Sequence, residues 1–149
     1  ELGNFEEALT SFKQALSLKP NYAEAHNNIG LVLQTLGNLD EAVKCHSKAL
    51  TLKPNYIEAY NNLGNACKSR GSLNEAIQAY DKALSMRPDF SEARNNLGLA
   101  LQDCGNLDEA IEAFTKTLSL SPCFVEAHHN LGEEHSHHGL KTDFLWFSH

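Results

Sequence analysis

Asn28, Asn62, Asn96 and Asn130 follow one another at steps of 34 residues. A carboxamide offers donors and an acceptor together, so a row of them can pair with the N–H and C=O groups of an extended peptide. The same row can serve instead to solvate a surface or to join neighbouring helices, and both readings stand at this point. A second group of reactive side chains crowds the C-terminal end. His128, His129, His135, His137 and His138 lie there with Glu133 and Glu134. Imidazole and carboxylate at helical spacing can hold zinc, and Glu134 and His138 are four apart. The His-Glu-x-x-His order of a zinc hydrolase is missing. His128 and His135 take places where the repeat pattern has aromatics, so they are expected to pack, and no metal site is expected. Cys45, Cys67, Cys104 and Cys123 have no Cys-x-x-Cys spacing and do not recur with the period. They read as free thiols in a reducing compartment rather than as a disulfide or metal framework. No phosphate loop, nucleophile elbow or distinct carboxylate pair occurs, so no catalytic residue, enzyme activity or cofactor is expected.

The elements that must position these side chains are set by the same period. Pro20, Pro54, Pro88 and Pro122 are 34 apart, and so are Gly3, Gly37, Gly71, Gly105 and Gly139. Gly30, Gly64, Gly98 and Gly132 form another series, and Ala8, Ala42, Ala76 and Ala110 another. A strict period of this length implies stacked supersecondary units, a quasi-one-dimensional solenoid that presents a long surface and usually binds rather than catalyses.

Within residues 57–90, Ile57, Ala59, Tyr60, Leu63, Gly64 and Cys67 make one apolar helical stripe, and Leu73, Ala76, Ile77, Tyr80, Ala83 and Leu84 make a second. Gly71 between them is a helix stop of the left-handed kind, and Pro88 ends the second helix while pushing Arg87 out of helical geometry. Each unit is thus an antiparallel pair of helices of about 14 residues. Gly64 and Ala76 are expected where the two axes approach most closely, with Tyr60, Tyr80 and Ala83 around them. Asn21-x-x-Glu24, Asn55-x-x-Glu58 and Asp89-x-x-Glu92 read as capping boxes for the first helices. Asn4-x-x-Glu7, Asn38-x-x-Glu41, Ser72-x-x-Glu75 and Asn106-x-x-Glu109 read so for the second ones.

The organisation expected is a partial repeat at 1–22 carrying an orphan second helix, full repeats at 23–56, 57–90 and 91–124, an incomplete repeat at 125–139, and an atypical tail at 140–149. The chain begins at Glu1 in mid-repeat, which reads as an excerpt of a longer protein or an incomplete gene model. After Gly139 the pattern breaks: Phe144 stands where alanine recurs, and Phe144-Leu145-Trp146-Phe147 is strongly apolar. Two readings remain, a cap folded onto the last helix or a misread frame or splice end.

Of the 149 residues 42% are hydrophobic and 21% charged, as in a folded domain, with a net charge of −7. That balance argues against binding to a nucleic-acid backbone, which needs lysine and arginine. No apolar run approaches membrane-spanning length and no leader is visible, so no membrane partner and a cytoplasmic location, with the nucleus open, are expected.

The residues Tyr60, Leu63-Gly64, Cys67, Ala76, Tyr80, Ala83 and Pro88, and the less regular Arg94, Leu97-Gly98, Leu101, Ala110, Phe114, Thr117 and Pro122, resemble the signature of the tetratricopeptide repeat. The resemblance covers residues 1 to about 139. His26 and Arg94 at the first aromatic and His46 at the later one depart from the pattern. It implies an all-α, right-handed α-solenoid of antiparallel helix pairs. The pentatricopeptide repeat, an RNA-reading relative in form, is disfavoured by its longer period and by the acidic balance.

In such arrays the first helices line a concave groove. The resemblance places Asn27, Asn28 and Leu31, then Asn61, Asn62 and Asn65, then Asn95, Asn96 and Leu99, and finally Asn130 on it. Glu24, Glu58, Glu92, Glu126, His129 and Glu133 accompany them. The function implied is capture of an extended protein segment, with asparagines on its backbone and Leu31 and Leu99 on apolar side chains. The row is also similar to the asparagine ladder of O-linked N-acetylglucosamine transferase arrays, so the alternative is the substrate-targeting arm of a larger glycosyltransferase. Self-association through exposed repeat ends is a further expectation. The lysines by which co-chaperone members hold a terminal carboxylate are replaced by Asn27, Asn61, Asn95, Glu58, Glu92 and Glu126, and their arginine by Asn96 or Asn130, which argues against that ligand.

Overall fold

The computed structural model describes the backbone of residues 2–146 and the side chains of residues 3–136. Among the described residues eight helices follow in order: α1 (Leu2–Leu18), α2 (Ala23–Thr35), α3 (Leu39–Leu52), α4 (Ile57–Arg70), α5 (Leu73–Met86), α6 (Ser91–Asp103), α7 (Leu107–Leu120) and α8 (Val125–Trp146). No strand occurs among the described residues. Two compact units divide the chain, residues 1–88 with α1–α5 and residues 89–149 with α6–α8.

In the first unit α2 pairs with α3 and α4 with α5, while α1 packs on α2 and α3 on α4. In the second, α6 pairs with α7, and α8 packs chiefly on α7 and also on α6. The short connections make the paired helices antiparallel. At the turns Gly37, Gly71 and Gly105 have φ of 82°, 88° and 83°. Their amides bond back to Gln34, Lys68 and Gln102, and the next residue's amide bonds to Leu33, Cys67 and Leu101, the doubled closure of a Schellman turn. The second helices end at Lys53, Arg87 and Ser121, each extended at φ near −135° just before the repeat's proline (−138°, −134° and −137°).

The centre of each pair is a glycine under a ring. A Cβ built on Gly30, Gly64 or Gly98 would lie 2.6, 2.4 or 2.5 Å from the ring of His46, Tyr80 or Phe114. Those three rings are fully buried, and Ala42, Ala76 and Ala110 beside them are too. The expected close approach at Gly64 and Ala76 is therefore where the structure has it.

The expected capping boxes do not form. Asn4 lies inside α1, and the residues that precede α2, α4 and α6 are Tyr22, Tyr56 and Phe90, not Asn21, Asn55 and Asp89. Asn38, Ser72 and Asn106 do sit at the cap of α3, α5 and α7, but with ψ of 67°, 69° and 66° and no side-chain hydrogen bond. A capping side chain reaches the free amides from an extended backbone, which these residues lack. Their carbonyls instead accept from Ala42, Ala76 and Ala110. Glu24 and Glu58 each bond their own backbone N–H, which occupies the carboxylates that the boxes required.

α8 runs through Gly139 to Trp146, so the helix does not stop at that glycine as α4 does at Gly71. The expectation of an apolar cap made by residues 144–147 lies outside the described side chains.

Candidate functional site

Position within the helix separates two kinds of asparagine. Asn27, Asn61 and Asn95 were placed on the groove by resemblance, yet they are only 3%, 3% and 4% exposed. They face the interior because polar partners meet them there. Asn27 Oδ1 accepts from His46 Nδ1–H at 2.8 Å and from Asn62 Nδ2 at 3.1 Å, while its Nδ2 donates to the Tyr56 hydroxyl at 3.3 Å. A buried amide left without such partners would cost about 1–3 kcal/mol. Asn27 thus ties α2 to α3 and α4, and it is a frame residue.

His46 completes that network at a cost. Its Nε2 is buried and has no hydrogen-bond partner. Burial depresses the imidazole from the ordinary value of 6.5 to about 4, so the ring stays neutral around neutral pH.

The first unit's exposed asparagines lie one residue on. Asn28 and Leu31 on α2, and Asn62 and Asn65 on α4, are at least partly open to solvent. Asn62 spends a donor on Asn27, and Asn65 Oδ1 accepts from the Tyr80 hydroxyl at 2.7 Å. Each amide is therefore held at one end from the interior while part of its hydrogen-bonding capacity remains outside. Leu31, 40% exposed, supplies an apolar contact on the same face of α2 as Asn28.

This face is less acidic than its sequence. Lys53 Nζ lies 2.9 Å from Glu24, and Arg87 lies 2.7 Å from Glu58. The hydrogen bond from the cation is the leading cause that holds both carboxyls below the ordinary range. Lys53 and Arg87 are one period apart, a signal legible in the sequence but 29 residues from the carboxylates they meet.

In the second unit Asn96 and Leu99 on α6 are partly exposed. Asn130 on α8 is 8% exposed and donates to Asn95 Oδ1 at 3.1 Å, so it repeats the link between Asn62 and Asn27. The histidines depart from expectation. His128 and His135 are exposed and not packed. His128 donates from Nε2 to the Pro122 carbonyl at 2.7 Å, as His26 does to Pro20 at 3.1 Å. That polar bond at the end of the preceding repeat is available to an imidazole, and it draws the ring away from the apolar face. His129 meets Glu133 at 3.2 Å. Among the described residues no group of three or more histidine, cysteine or acidic side chains could hold a metal ion. The side chains of His137 and His138 lie outside that description. Among the described residues no helix is long and apolar enough to cross a membrane.

One signal for Asn65 was available and missed. Tyr80 pairs with Asn65, whereas Phe114 and His46 occur with Leu99 and Leu31 at the corresponding places. The hydroxyl appears in the repeat that has the amide.

Family models of the tetratricopeptide repeat match residues 21–89 and 61–122, and a model described as a TPR repeat matches residues 1–37. No curated protein sequence matches the chain. Among solved structures, the crystal structure of MamA superimposes with a TM-score of 0.86 at 30% identity, covering 94% of this chain and 82% of that one. MamA from Desulfovibrio magneticus RS-1, residue 41 to its end, gives 0.85 at 28% identity, with 92% and 77% covered. YrrB, described as a TPR protein with an unusual peptide-binding site, gives 0.76 at 25% identity, with 93% and 71% covered. Helix pairs closed by a glycine, a ring seated on a second glycine, and repeat models that run from residue 1 to residue 122 all lead to one assignment. The chain belongs to the tetratricopeptide-repeat family.

Proposed function

We propose that this chain is a protein-interaction module that binds an extended peptide segment on the exposed faces of its first helices. Asn28, Leu31, Asn62 and Asn65 make the contact in the first unit, and Asn96 and Leu99 in the second. Asn27, Asn61, Asn95 and Asn130 hold the frame. The observation that carries the reading is the half-tethered amide. Asn62 and Asn65 are each fixed by an interior partner, Asn27 and Tyr80, while remaining partly exposed. A pre-oriented amide loses less rotamer freedom on binding, and that loss is about 0.5–1.5 kcal/mol for a mobile side chain. The likeness to YrrB, a TPR protein with an unusual peptide-binding site, supports the same reading. Catalysis plays no part in it.

The test begins with peptides selected from a random-sequence display library on the 149-residue chain. Titration calorimetry then compares the parent with Asn65→Leu, the residue type found at the corresponding Leu31 and Leu99. A loss of tenfold or more in affinity with an unchanged far-UV spectrum supports the contact. Unchanged affinity in Asn65→Leu and in Asn62→Ala with Asn96→Ala, alongside lowered melting temperature, makes the asparagines structural only.

A further inference from the structure

α4 has a second face besides the one that carries Asn62 and Asn65. On it Tyr60 and Leu63 form the floor of an open pocket of about 440 Å³. Val43 and Ser47 of α3 line one wall, and Gln78, Ala79 and Lys82 of α5 line the other. All of these residues belong to the first unit. Tyr60 and Leu63 pack against the buried cluster of Ala49, Leu50 and Ala59, yet both stay partly exposed. A largely apolar hollow of this size accepts a bulky apolar side chain.

The rim decides what accompanies that side chain. Glu75, at one end of the pocket, is already engaged: it takes Arg70 at 2.9 Å and the Cys67 thiol at 3.8 Å. Lys82 has no ion pair among the described residues, and the Gln78 amide has no hydrogen-bond partner among them. The uncompensated charge at this rim is therefore positive, on a chain whose net charge is −7. Lys82 follows Ala79 by three residues on α5, so it stands one helical turn, about 5–6 Å between Cβ atoms, from the apolar seat. The second unit has a pocket of about 300 Å³ at the same register but with other chemistry. There Arg94 stands in place of Tyr60, and Glu112 in place of Gln78. Glu112 precedes Lys116 by four residues, a spacing at which opposite charges on a helix are neighbours. At that place Lys82 has the neutral Gln78, so the first unit's rim is the one that favours an acid.

We propose that the α3–α4–α5 pocket is a second docking site, for a segment of a partner protein that seats a bulky apolar side chain on Leu63, between Val43 and Ala79, and sets a carboxylate against Lys82. The Gln78 amide, four residues before Lys82 on the same helix, adds a neutral donor for that carboxylate. The site shares no residue with the peptide contact of Asn28, Leu31, Asn62 and Asn65 and does not rest on that reading.

The probe is a displayed library of short peptides, random around a fixed central Trp, Phe or Leu. It is selected on the 149-residue chain and depleted on the same chain with Lys82→Glu. Peptides that bind elsewhere are lost in the depletion. Survivors are expected to carry Asp or Glu one helical turn from the fixed residue. In calorimetry Lys82→Glu should cost them about tenfold or more in affinity, and Gln78→Glu, which copies Glu112, should weaken them too. Asn65→Leu should leave their affinity unchanged. Methyl NMR of the labelled chain should show shifts at Val43, Leu63 and Ala79 and none at Leu31. Gln78 and Lys82 are exposed, and far-UV spectra check that the variants fold. Should Lys82→Glu disturb α5, Lys82→Gln removes the charge with less change. A library without survivors, survivors that lack the acid, affinity indifferent to Gln78→Glu, or shifts at Leu31 instead of Val43 and Leu63 would each overturn the inference. None of these results would touch the contact assigned to Asn62 and Asn65.

Discussion

Adding one methyl group should have opposite effects at Gly64 and Gly132. Both glycines sit within helices at the same place in the repeat, so both gain about 0.5–1 kcal/mol of helix preference on replacement by alanine. At Gly64 the new Cβ would fall 2.4 Å from Tyr80 Cε1, where carbon atoms in contact keep about 3.5–4.0 Å. The ring cannot step aside cheaply. Tyr80 is fully buried, and its hydroxyl is bonded to Asn65, the residue beside Gly64. Overpacking costs about 1–3 kcal/mol, and a forced shift of about an ångström against an anchored ring belongs in the upper half of that range. After the helix gain, Gly64→Ala should lose about 1–2 kcal/mol. Gly132→Ala, which meets no atom within 4 Å, should keep its gain. The assay is urea unfolding followed by far-UV circular dichroism, at a dilution where the chain is monomeric. With a slope of about 1–3 kcal/mol per molar urea, the two midpoints separate by roughly 1 M. A Tyr80→Leu background should shrink the Gly64→Ala penalty by about 1 kcal/mol or more, because the clash is with that ring. Equal stability of Gly64→Ala and the parent, or an equal loss at both glycines, would refute the close-approach account.

Acid should destabilise the first unit through His46. Its folded pKa of about 4 lies below the ordinary 6.5, so the unfolded chain takes up the proton first. The contribution is complete above about pH 6.5, is lost as pH falls, and levels off below about pH 4, for a total near 3 kcal/mol. His46→Phe, which copies the pairing of Phe114 with Leu99, should flatten that slope in urea midpoints taken across this range. Asn27→Ala should cost about 2 kcal/mol in the same assay, since it strips partners from His46, Tyr56 and Asn62 at once. Gly71→Ala should cost about 1 kcal/mol although its Cβ would meet nothing within 4 Å, because φ there is +88°. A loss under a few tenths of a kcal/mol would remove the backbone explanation. Lys53→Ala should leave the urea midpoint almost unchanged, since Lys53 and its partner Glu24 both remain largely solvated, and added salt should erase any difference.

What the sequence made legible follows from what a period can encode. Glycines 37, 71 and 105 could be read as turn residues because a positive φ has few other solutions, and Gly64 as a close approach because no other residue type recurs there. The asparagines were harder, because a polar residue on a helix is ordinarily assigned to solvent. Asn27 is buried by partners distant in the chain: Tyr56 and His46 are 29 and 19 residues away, and Asn62 is 35 away. The pairing of α2 with α3 brings His46 to it, and the stacking of one helix pair on the next brings Tyr56 and Asn62. The same stacking brings Lys53 to Glu24 and Arg87 to Glu58, so the acidity of the first helices could not be judged from the first helices alone. The boxes expected at α2 and α4 failed for a related reason, since Glu24 and Glu58 serve those cations. A repeat thus conceals its function in register. Position 27 and position 28 carry the same residue type, yet one turns its amide into the frame and the other turns it out.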